Sequence, residues 1–130
     1  MNDEAKPKVG TIAWTDLTVA DAEGIRDFYA KVLGWVPAPV DMGTYSDFTM
    51  TTPDDQTAVA GVCHARGGNA DLPAQWLNYV IVADLDRSIT LCEESGGAIV
   101  TPARTMGTMG RYCVIRDPAG AVLALFELAG

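Results

Sequence analysis

The sequence has few basic side chains and no long apolar segment. Nine lysines and arginines stand against 17 aspartates and glutamates in 130 residues, a formal net charge of -8. This acidic balance argues against nucleic-acid binding, because proteins hold phosphates with lysine and arginine. No apolar run approaches the roughly 20 residues that cross a bilayer, so we expect no integral membrane protein. The polar start, Met-Asn-Asp-Glu-Ala-Lys-Pro-Lys, lacks the apolar core of a signal peptide and predicts a cytoplasmic protein.

Side chains for redox and metal chemistry are also scarce. The three cysteines, Cys63, Cys92 and Cys113, are widely spaced and form no C-x-x-C pair, so we expect reduced structural thiols. His64 is the single histidine. Hydrophobic residues make up 48% of the chain, which argues against a disordered protein and predicts one domain over residues 1–130.

An internal repeat organises the chain. Between residues 19 and 122, a shift of 63 positions pairs identical residues at eight places. Most are helix caps, helix stops and turn residues, where backbone geometry limits the choice of side chain. The pairs are Val19/Val82, Ala20/Ala83, Asp21/Asp84, Gly34/Gly97, Pro39/Pro102, Asp54/Asp117, Ala58/Ala121 and Val59/Val122. The repeat predicts two modules, at about residues 10–66 and 73–130, joined by a stretch rich in Gly, Asn, Asp and Pro.

Each module has the pattern of a strand, a helix and three further strands. In the first, a segment rich in β-formers ends at Val19, and a helix follows that begins after Asp21 and ends at Gly34. Its apolar stripe consists of Ile25, Phe28, Tyr29, Val32 and Leu33. One helix cannot cover both faces of a sheet. We therefore predict an α+β fold of two tandem βαβββ modules that enclose a cavity, with two tandem units of solid core as the alternative.

Two parts of the sequence resemble a known family. The segments WTDLTVAD (14–21) and FYAKVLGW (28–35) are similar to the opening of glyoxalase/bleomycin-resistance/extradiol-dioxygenase proteins, the vicinal-oxygen-chelate superfamily. The segment from Gly110 to Glu127 is similar to that family's last hairpin. The resemblance extends over residues 11–128. It implies paired βαβββ modules whose curved mixed sheets form a ligand cavity, and it implies a homodimer.

The metal chemistry of that family does not follow from these residues. In metal-dependent relatives the ligands come from four equivalent positions, which correspond here to Trp14, Gly61, Leu77 and Ala124. None of these side chains binds a divalent metal. We therefore expect no metal and no other cofactor, and neither glyoxalase I nor ring-cleaving dioxygenase activity. His64 is expected to be an ordinary surface or core residue.

The same four positions indicate which strand face meets the ligand, because side chains alternate along a strand. They place Trp14, Asp16 and Thr18 on one face of the first strand, and Tyr79 on its counterpart. The inferred surface is mostly apolar with a few polar groups, as is usual for a small-molecule site. The candidate ligand-binding residues are Trp14, Thr18, Phe48, Met50, Cys63, Leu77, Ile81, Arg111, Ala124 and Phe126.

Asp16 and Tyr79 are the candidate catalytic residues. A carboxylate on a largely apolar face is costly without a partner, and burial would raise its pKa and suit it to general acid or base work. The alternatives are an exposed carboxylate at the cavity mouth, or a structural pair with Arg111 or the Tyr79 hydroxyl. Arg111 follows a Met/Gly loop, residues 106–110, that resembles an adaptable lid. It is a candidate clamp for an anionic ligand, with a solvated arginine as the alternative.

Two classes of function remain. The first is a metal-independent protein that binds a small hydrophobic or aromatic molecule, as drug-sequestering relatives do. The second is a metal-free isomerase, lyase or hydrolase with Asp16 as general acid or base. An accessory subunit with a filled cavity is a third. We favour the binding protein, because the sequence reveals no base with an orienting partner. We expect a homodimer in the cytoplasm, with a small-molecule ligand and neither nucleic acid nor membrane as partner.

Overall fold

In a computed structural model of the chain, residues 6–130 are described and form two compact units. One unit is Trp14–Trp76. The other comprises Leu77–Gly130 together with residues 6–13. Each unit holds one helix, and neither helix in this part of the chain is long and apolar enough to cross a membrane.

The first module runs from β1 to β4. Its elements are β1 (Ile12–Val19), α1 (Ala22–Leu33), β2 (Val36–Asp41), β3 (Ser46–Thr51) and β4 (Ala58–His64). The strands lie in the order β2-β3-β4-β1, in which β4 and β1 are parallel and the other neighbours are antiparallel. This is the predicted βαβββ order.

The second module repeats that order after a short 3-10 turn at Gly67–Asn69. Its elements are β5 (Trp76–Ile81), α2 (Leu85–Glu94), β6 (Ala98–Met106), β7 (Gly110–Arg116) and β8 (Val122–Leu128). The strands lie in the order β5-β8-β7-β6, and the parallel pair is β5 with β8. The predicted α+β fold with two βαβββ modules of mixed sheet is therefore confirmed.

The strand register reproduces the 63-residue repeat. In the first module Asp16 lies opposite Gly61 across the parallel pair. In the second module Tyr79 lies opposite Ala124. Both members of the second pair follow their counterparts by 63 positions, so the offset read from caps and turns also holds for the sheet hydrogen bonding.

The repeated aspartates cap the helices as predicted. The Asp21 carboxylate accepts a hydrogen bond from the Gly24 backbone N–H at 3.0 Å, and Asp84 accepts one from the Arg87 N–H at 3.1 Å. Gly34 ends α1 in the left-handed conformation, with φ of 76°. These side chains supply partners for N–H groups that a helix leaves unpaired at its start, which is why the helices begin where they do.

Each module packs its helix against one face of its own sheet. Beneath α1 lies a cluster of buried residues: Ala22, Phe48, Met50, Ala60 and Val62. Beneath α2 lies a smaller one: Leu85, Cys113 and Leu125. Cys113 is a free thiol in this core, and its pKa is raised to about 11, first by burial and then by Cys92. The structure holds Cys63 and Cys92 as free thiols too, as expected.

The apolar stripe predicted for α1 is only partly buried. Ile25 and Tyr29 pack against the core beneath the helix. Phe28, Val32 and Leu33 are instead 52%, 59% and 49% exposed. The helix therefore presents a narrower face to its sheet than the periodicity predicts, and apolar side chains remain at the surface of the module.

Candidate functional site

One face of the sheet of the first module is turned away from α1 and carries Asp16. Directly opposed residues in neighbouring strands share a face. Thr49, Gly61 and Asp16 are opposed in this way across β3, β4 and β1. Thr18 and Cys63 form the next opposed pair along the same face. This is the face that the sequence predicted for Trp14, Asp16, Thr18 and Cys63, and we call it the Asp16 face.

A hydrogen bond within β1 holds the Asp16 carboxylate. The Trp14 indole Nε1–H donates to Asp16 Oδ1 at 2.5 Å. The two residues are two positions apart, so their side chains project from the same face of the strand. Both are half-buried. Asp16 thus has an orienting partner, which the sequence reasoning failed to find because it considered only Arg111 and Tyr79.

Gly61 makes room for this pair. An ideal Cβ placed on Gly61 would overlap the Asp16 carboxylate oxygen and would lie 3.5 Å from Trp14 Nε1. The glycine is therefore needed for close approach of a side chain, since its φ is not positive.

Cys63 is a neutral thiol on the Asp16 face. Burial raises its pKa well above the ordinary range, and the nearby Asp16 and Asp47 carboxylates raise it further by opposing a second negative charge. The thiol also donates a hydrogen bond to Asp47. A thiol with a raised pKa is a poor nucleophile, so Cys63 contributes packing and hydrogen bonding rather than covalent chemistry.

Asp47 and His64 are polar residues of this module whose pairing the sequence did not predict. Asp47 Oδ1 accepts hydrogen bonds from the His64 backbone N–H at 2.9 Å and lies 3.2 Å from its ring Nδ1. The His64 ring also contacts the Tyr45 ring edge to face, with centroids 5.3 Å apart. Both side chains are 15% exposed. The two residues are 17 positions apart in sequence and meet only because β3 pairs with β4. No local sequence pattern therefore indicates their contact.

Two predicted ligand-binding residues lie on the opposite face. Phe48 is opposed to Val62, and Met50 to Ala60, in the β3–β4 register. All four belong to the core beneath α1. A one-residue difference in strand parity moves a side chain to the other face of a sheet. The prediction for Phe48 and Met50 is therefore corrected: they are core residues, and Thr49 occupies the Asp16 face in their place.

The predicted residues of the second module lie on a buried, apolar face. Tyr79 is 7% exposed, and its ring centroid lies 6.2 Å from that of Tyr112. The side chains of Leu77, Ile81, Ala124 and Phe126 are also buried. This face carries the candidate residues Leu77, Tyr79, Ile81, Ala124 and Phe126 and differs from the Asp16 face in having no carboxylate among them.

Arg111 lies at the start of β7 and lines a shallow groove of about 270 Å³. Its guanidinium pairs with Asp86 at 3.3 Å and with Glu127 at 3.4 Å. The Arg111 guanidinium, which would clamp an anionic ligand, is thus already paired with two carboxylates. Glu127 in turn accepts a hydrogen bond at 2.7 Å from the Leu85 N–H at the start of α2.

The Met/Gly loop before Arg111 is a tight turn. β6 extends to Met106 and forms an antiparallel hairpin with β7, in which Met106 lies opposite Gly110. The Met109 N–H donates to the Met106 carbonyl at 3.0 Å, which closes the turn. The expectation of an adaptable lid over residues 106–110 is therefore wrong: these residues form the tight turn of the β6–β7 hairpin.

The side chains do not fit a metal centre. The four positions that correspond to metal ligands in relatives hold Trp14, Gly61, Leu77 and Ala124, none of which donates to a divalent cation. Within residues 6–130, no three histidine, cysteine, aspartate or glutamate side chains are grouped so that they could hold a metal ion. We therefore derive no chemical step through a metal.

Comparison with known proteins gives consistent results. The family model described as Glyoxalase/Bleomycin resistance protein/Dioxygenase superfamily matches residues 11–125. The protein named "Putative glyoxylase CFP32" of Mycobacterium bovis is 30% identical over 98% of this chain and 49% of its own length. The anthracycline biosynthesis protein DnrV of Streptomyces peucetius is 30% identical over 91% of this chain and 47% of its own length. The chain thus spans about half the length of these curated relatives.

A solved structure agrees in fold. Methylmalonyl-CoA epimerase from Mycobacterium tuberculosis superposes with a TM-score of 0.56 over 99% of this chain and 97% of that one, at 16% identity. With the family match over most of its length and the βαβββ repeat in its strands, the chain belongs to the glyoxalase/bleomycin resistance protein/dioxygenase superfamily.

Proposed function

We propose that the protein binds a small hydrophobic or aromatic molecule on the Asp16 face without the help of a metal, within the ligand cavity that the sequence resemblance implies. The observation that carries the proposal is the Trp14–Asp16 hydrogen bond. It combines a flat aromatic surface with a fixed polar group, the pairing of features by which small-molecule sites gain affinity and orientation. The names of the curated relatives, which refer to a glyoxylase and to anthracycline biosynthesis, support a role in small-molecule chemistry.

The three tryptophans make this proposal testable without knowledge of the natural ligand. Each gives one indole N–H signal in a proton–nitrogen correlation spectrum, and single Trp→Phe variants assign the three signals. We expect a neutral aromatic probe, 1-naphthalenemethanol, to shift the Trp14 signal in a saturable manner. Trp76 is the internal control, because its indole donates to the Tyr29 hydroxyl within the aromatic cluster around α1. Saturable shifts confined to Trp35 and Trp76, or no shift at any signal, would contradict the proposal.

A second candidate is a metal-free isomerase, lyase or hydrolase in which Asp16 acts as general acid or base. The observation that favours it is again the indole hydrogen bond, because a catalytic carboxylate needs a partner that fixes its direction. Asp16→Asn separates the two candidates once a substrate is found. In an enzyme this variant binds with similar affinity and loses turnover by a factor of roughly 100 or more. In a binding protein, Trp14→Ala does the greater harm to affinity and no turnover exists to lose.

The expected homodimer and the expected cytoplasmic location are also part of this proposal. Exposed apolar side chains on α1 support a second copy as partner, since such surfaces often mark protein interfaces. Light scattering after size exclusion tests it with Phe28→Glu. The matched control is Leu91→Glu, which replaces the residue 63 positions later on α2, itself 44% exposed. A dimer that only Phe28→Glu dissociates supports an interface at α1. A monomeric parent protein, or a dimer unaffected by Phe28→Glu, contradicts it.

A further inference from the structure

Gly61 occupies the centre of the Asp16 face without a conformational reason to be glycine. It lies inside β4, and its φ falls outside the left-handed region. Glycine inside a strand costs about 0.5–1 kcal/mol relative to alanine in backbone entropy, so an unforced glycine is a disadvantage. The position that corresponds to it in the second module holds Ala124, which is fully buried opposite Tyr79. The register itself therefore accepts a Cβ.

The difference lies in the side chain across the strand pair. A Cβ on Gly61 would overlap one oxygen of the Asp16 carboxylate and would lie 3.2 Å from its Cγ. The carboxylate thus occupies the space that a side chain at position 61 would need. It is held there by the Trp14 indole, which donates to Oδ1 at 2.5 Å.

The charges around this carboxylate bear on what it can meet. The other acidic group near Cys63 is Asp47. A carboxylate only accepts hydrogen bonds, so a ligand group that contacts it must be a donor.

We propose that Gly61 is a positioning residue: by lacking a side chain it lets the Asp16 carboxylate stand at the centre of the sheet face, where it receives a hydrogen-bond-donating or cationic group of the ligand. The claim about the ligand rests on the proposed function, whereas the claim about Gly61 and Asp16 does not. The ligand class is accordingly an aromatic or hydrophobic molecule that carries an amine, an amidine or a hydroxyl group. Carboxylates and phosphates are disfavoured at this position.

The claim about position is tested first, without a ligand. Gly61→Ala should shift the Trp14 indole signal strongly, because the new Cβ displaces the carboxylate that accepts its proton. Ala124→Gly is the matched control and should leave that signal in place. In an Asp16→Ala background the Gly61→Ala change should move the Trp14 signal little, since the clashing group is gone. An unchanged Trp14 signal in Gly61→Ala would overturn the inference.

A failure to fold is also informative. If Gly61→Ala does not fold, the inference requires that the Asp16→Ala/Gly61→Ala double variant does, because removal of the carboxylate removes the overlap. A double variant that also fails to fold means that the backbone itself needs glycine, and the inference is wrong.

The claim about the ligand is tested with matched probes on the folded protein: 1-naphthylmethylamine, 1-naphthalenemethanol and 1-naphthoate. We expect the amine to bind about tenfold or more tightly than the carboxylate, a difference of one decade in dissociation constant. Gly61→Ala and Asp16→Asn should each reduce this preference, and Asp27→Asn, which removes a surface carboxylate on α1, should not. Equal binding of all three probes at Trp14 would leave the proposed function standing and refute the donor preference. If no probe binds while the Trp14 signal responds to Gly61→Ala as expected, the proposed function and the ligand class both fail and the positioning role stands.

Discussion

Replacement of Asp16 by asparagine is the perturbation whose effect on stability follows most directly from the structure. The change keeps an oxygen that can accept the Trp14 indole proton at 2.5 Å and removes the charge. A hydrogen bond to a charged group contributes about 1.5–3 kcal/mol and a neutral one about 0.5–1.5 kcal/mol. Because both side chains are half-buried, solvent weakens the charged bond. We therefore expect Asp16→Asn to lower the free energy of unfolding by about 1 kcal/mol.

Urea unfolding at neutral pH, followed by circular dichroism, measures this difference. Asp16→Ala should cost more than Asp16→Asn, because it leaves the indole N–H without that acceptor. Asp27→Asn is the control for loss of a carboxylate at the surface: Asp27 pairs with Arg26 and is largely exposed, so no measurable change is expected. If Asp16→Asn is as stable as the parent protein, and its Trp14 indole signal does not move, the hydrogen bond contributes nothing and the reasoning about the site fails.

The same variant makes an independent test through Cys63. Burial raises the pKa of this thiol first, and the Asp16 charge raises it further. Asp16→Asn removes one of the charges that oppose the thiolate, so the pKa of Cys63 should fall. Alkylation of Cys63 by iodoacetamide at mildly alkaline pH, mapped by mass spectrometry, should then become faster. Cys113 is the internal control, because burial and Cys92 set its raised pKa, and its rate should not change.

Three further predictions concern the frame around the site. Glu127→Ala should lower the free energy of unfolding by about 1–2 kcal/mol, because it removes the acceptor of the buried Leu85 N–H at the start of α2, and Glu127→Gln should cost less in the same urea assay. Hydrogen bonds from Thr57 and Thr52 lower the pKa of Asp55 to about 2, so its contribution to stability is present above its ordinary pKa near 4 and is lost as the pH falls toward 2. Asp55→Asn should flatten that acidic part of the stability profile, and an unchanged profile would contradict the assignment. Elemental analysis after a chelator wash should find far less than one Zn, Fe, Ni or Mn per chain, and retention of about one would overturn the absence of a metal centre.

The parts of the fold that could be predicted are those in which local backbone geometry limits the residue type. Asp21 and Asp84 cap helices, and Gly34 ends one with a positive φ, so each residue is recognisable without knowledge of its neighbours in space. The equal spacing of these positions in the two halves then carries the strand register with it, as the Asp16–Gly61 opposition shows.

The errors came from features that depend on register and length. The sequence does not show how many residues connect β2 to β3, and this number decides which face of β3 carries Phe48. A shift of one residue would move Phe48 from the core face to the Asp16 face. The lid expected at residues 106–110 was wrong because β6 is nine residues long and closes a hairpin there. The Trp14–Asp16 bond was within reach of the alternation rule, since residues two apart share a face. Its donor, Trp14, is two residues from Asp16, whereas the partners expected from the sequence, Arg111 and Tyr79, are distant along the chain.

The two modules share a frame and differ in what they place on it. His64 and Glu127 are equivalent by the 63-residue offset. His64 is the last residue of β4, and Glu127 is the second-last residue of β8. Glu127 reaches the start of α2 and accepts the Leu85 N–H, so it serves the helix. His64 instead pairs with Asp47, so in the first module this position links two strands of the sheet, β3 and β4.

The second module has no room for a carboxylate at the position equivalent to Asp47. Its counterpart is Gly110, with φ of 151°, where a Cβ would overlap the carbonyl oxygen of Glu127. No carboxylate can stand there without rearrangement of β7 and β8. In the first module the steric demand is the opposite one: the bare position is Gly61, and a carboxylate from the neighbouring strand uses its space. At these equivalent positions the first module therefore has the carboxylates Asp16 and Asp47, whereas the second module has Tyr79 and Gly110, and we expect a ligand to contact the sheet of the first module differently from that of the second.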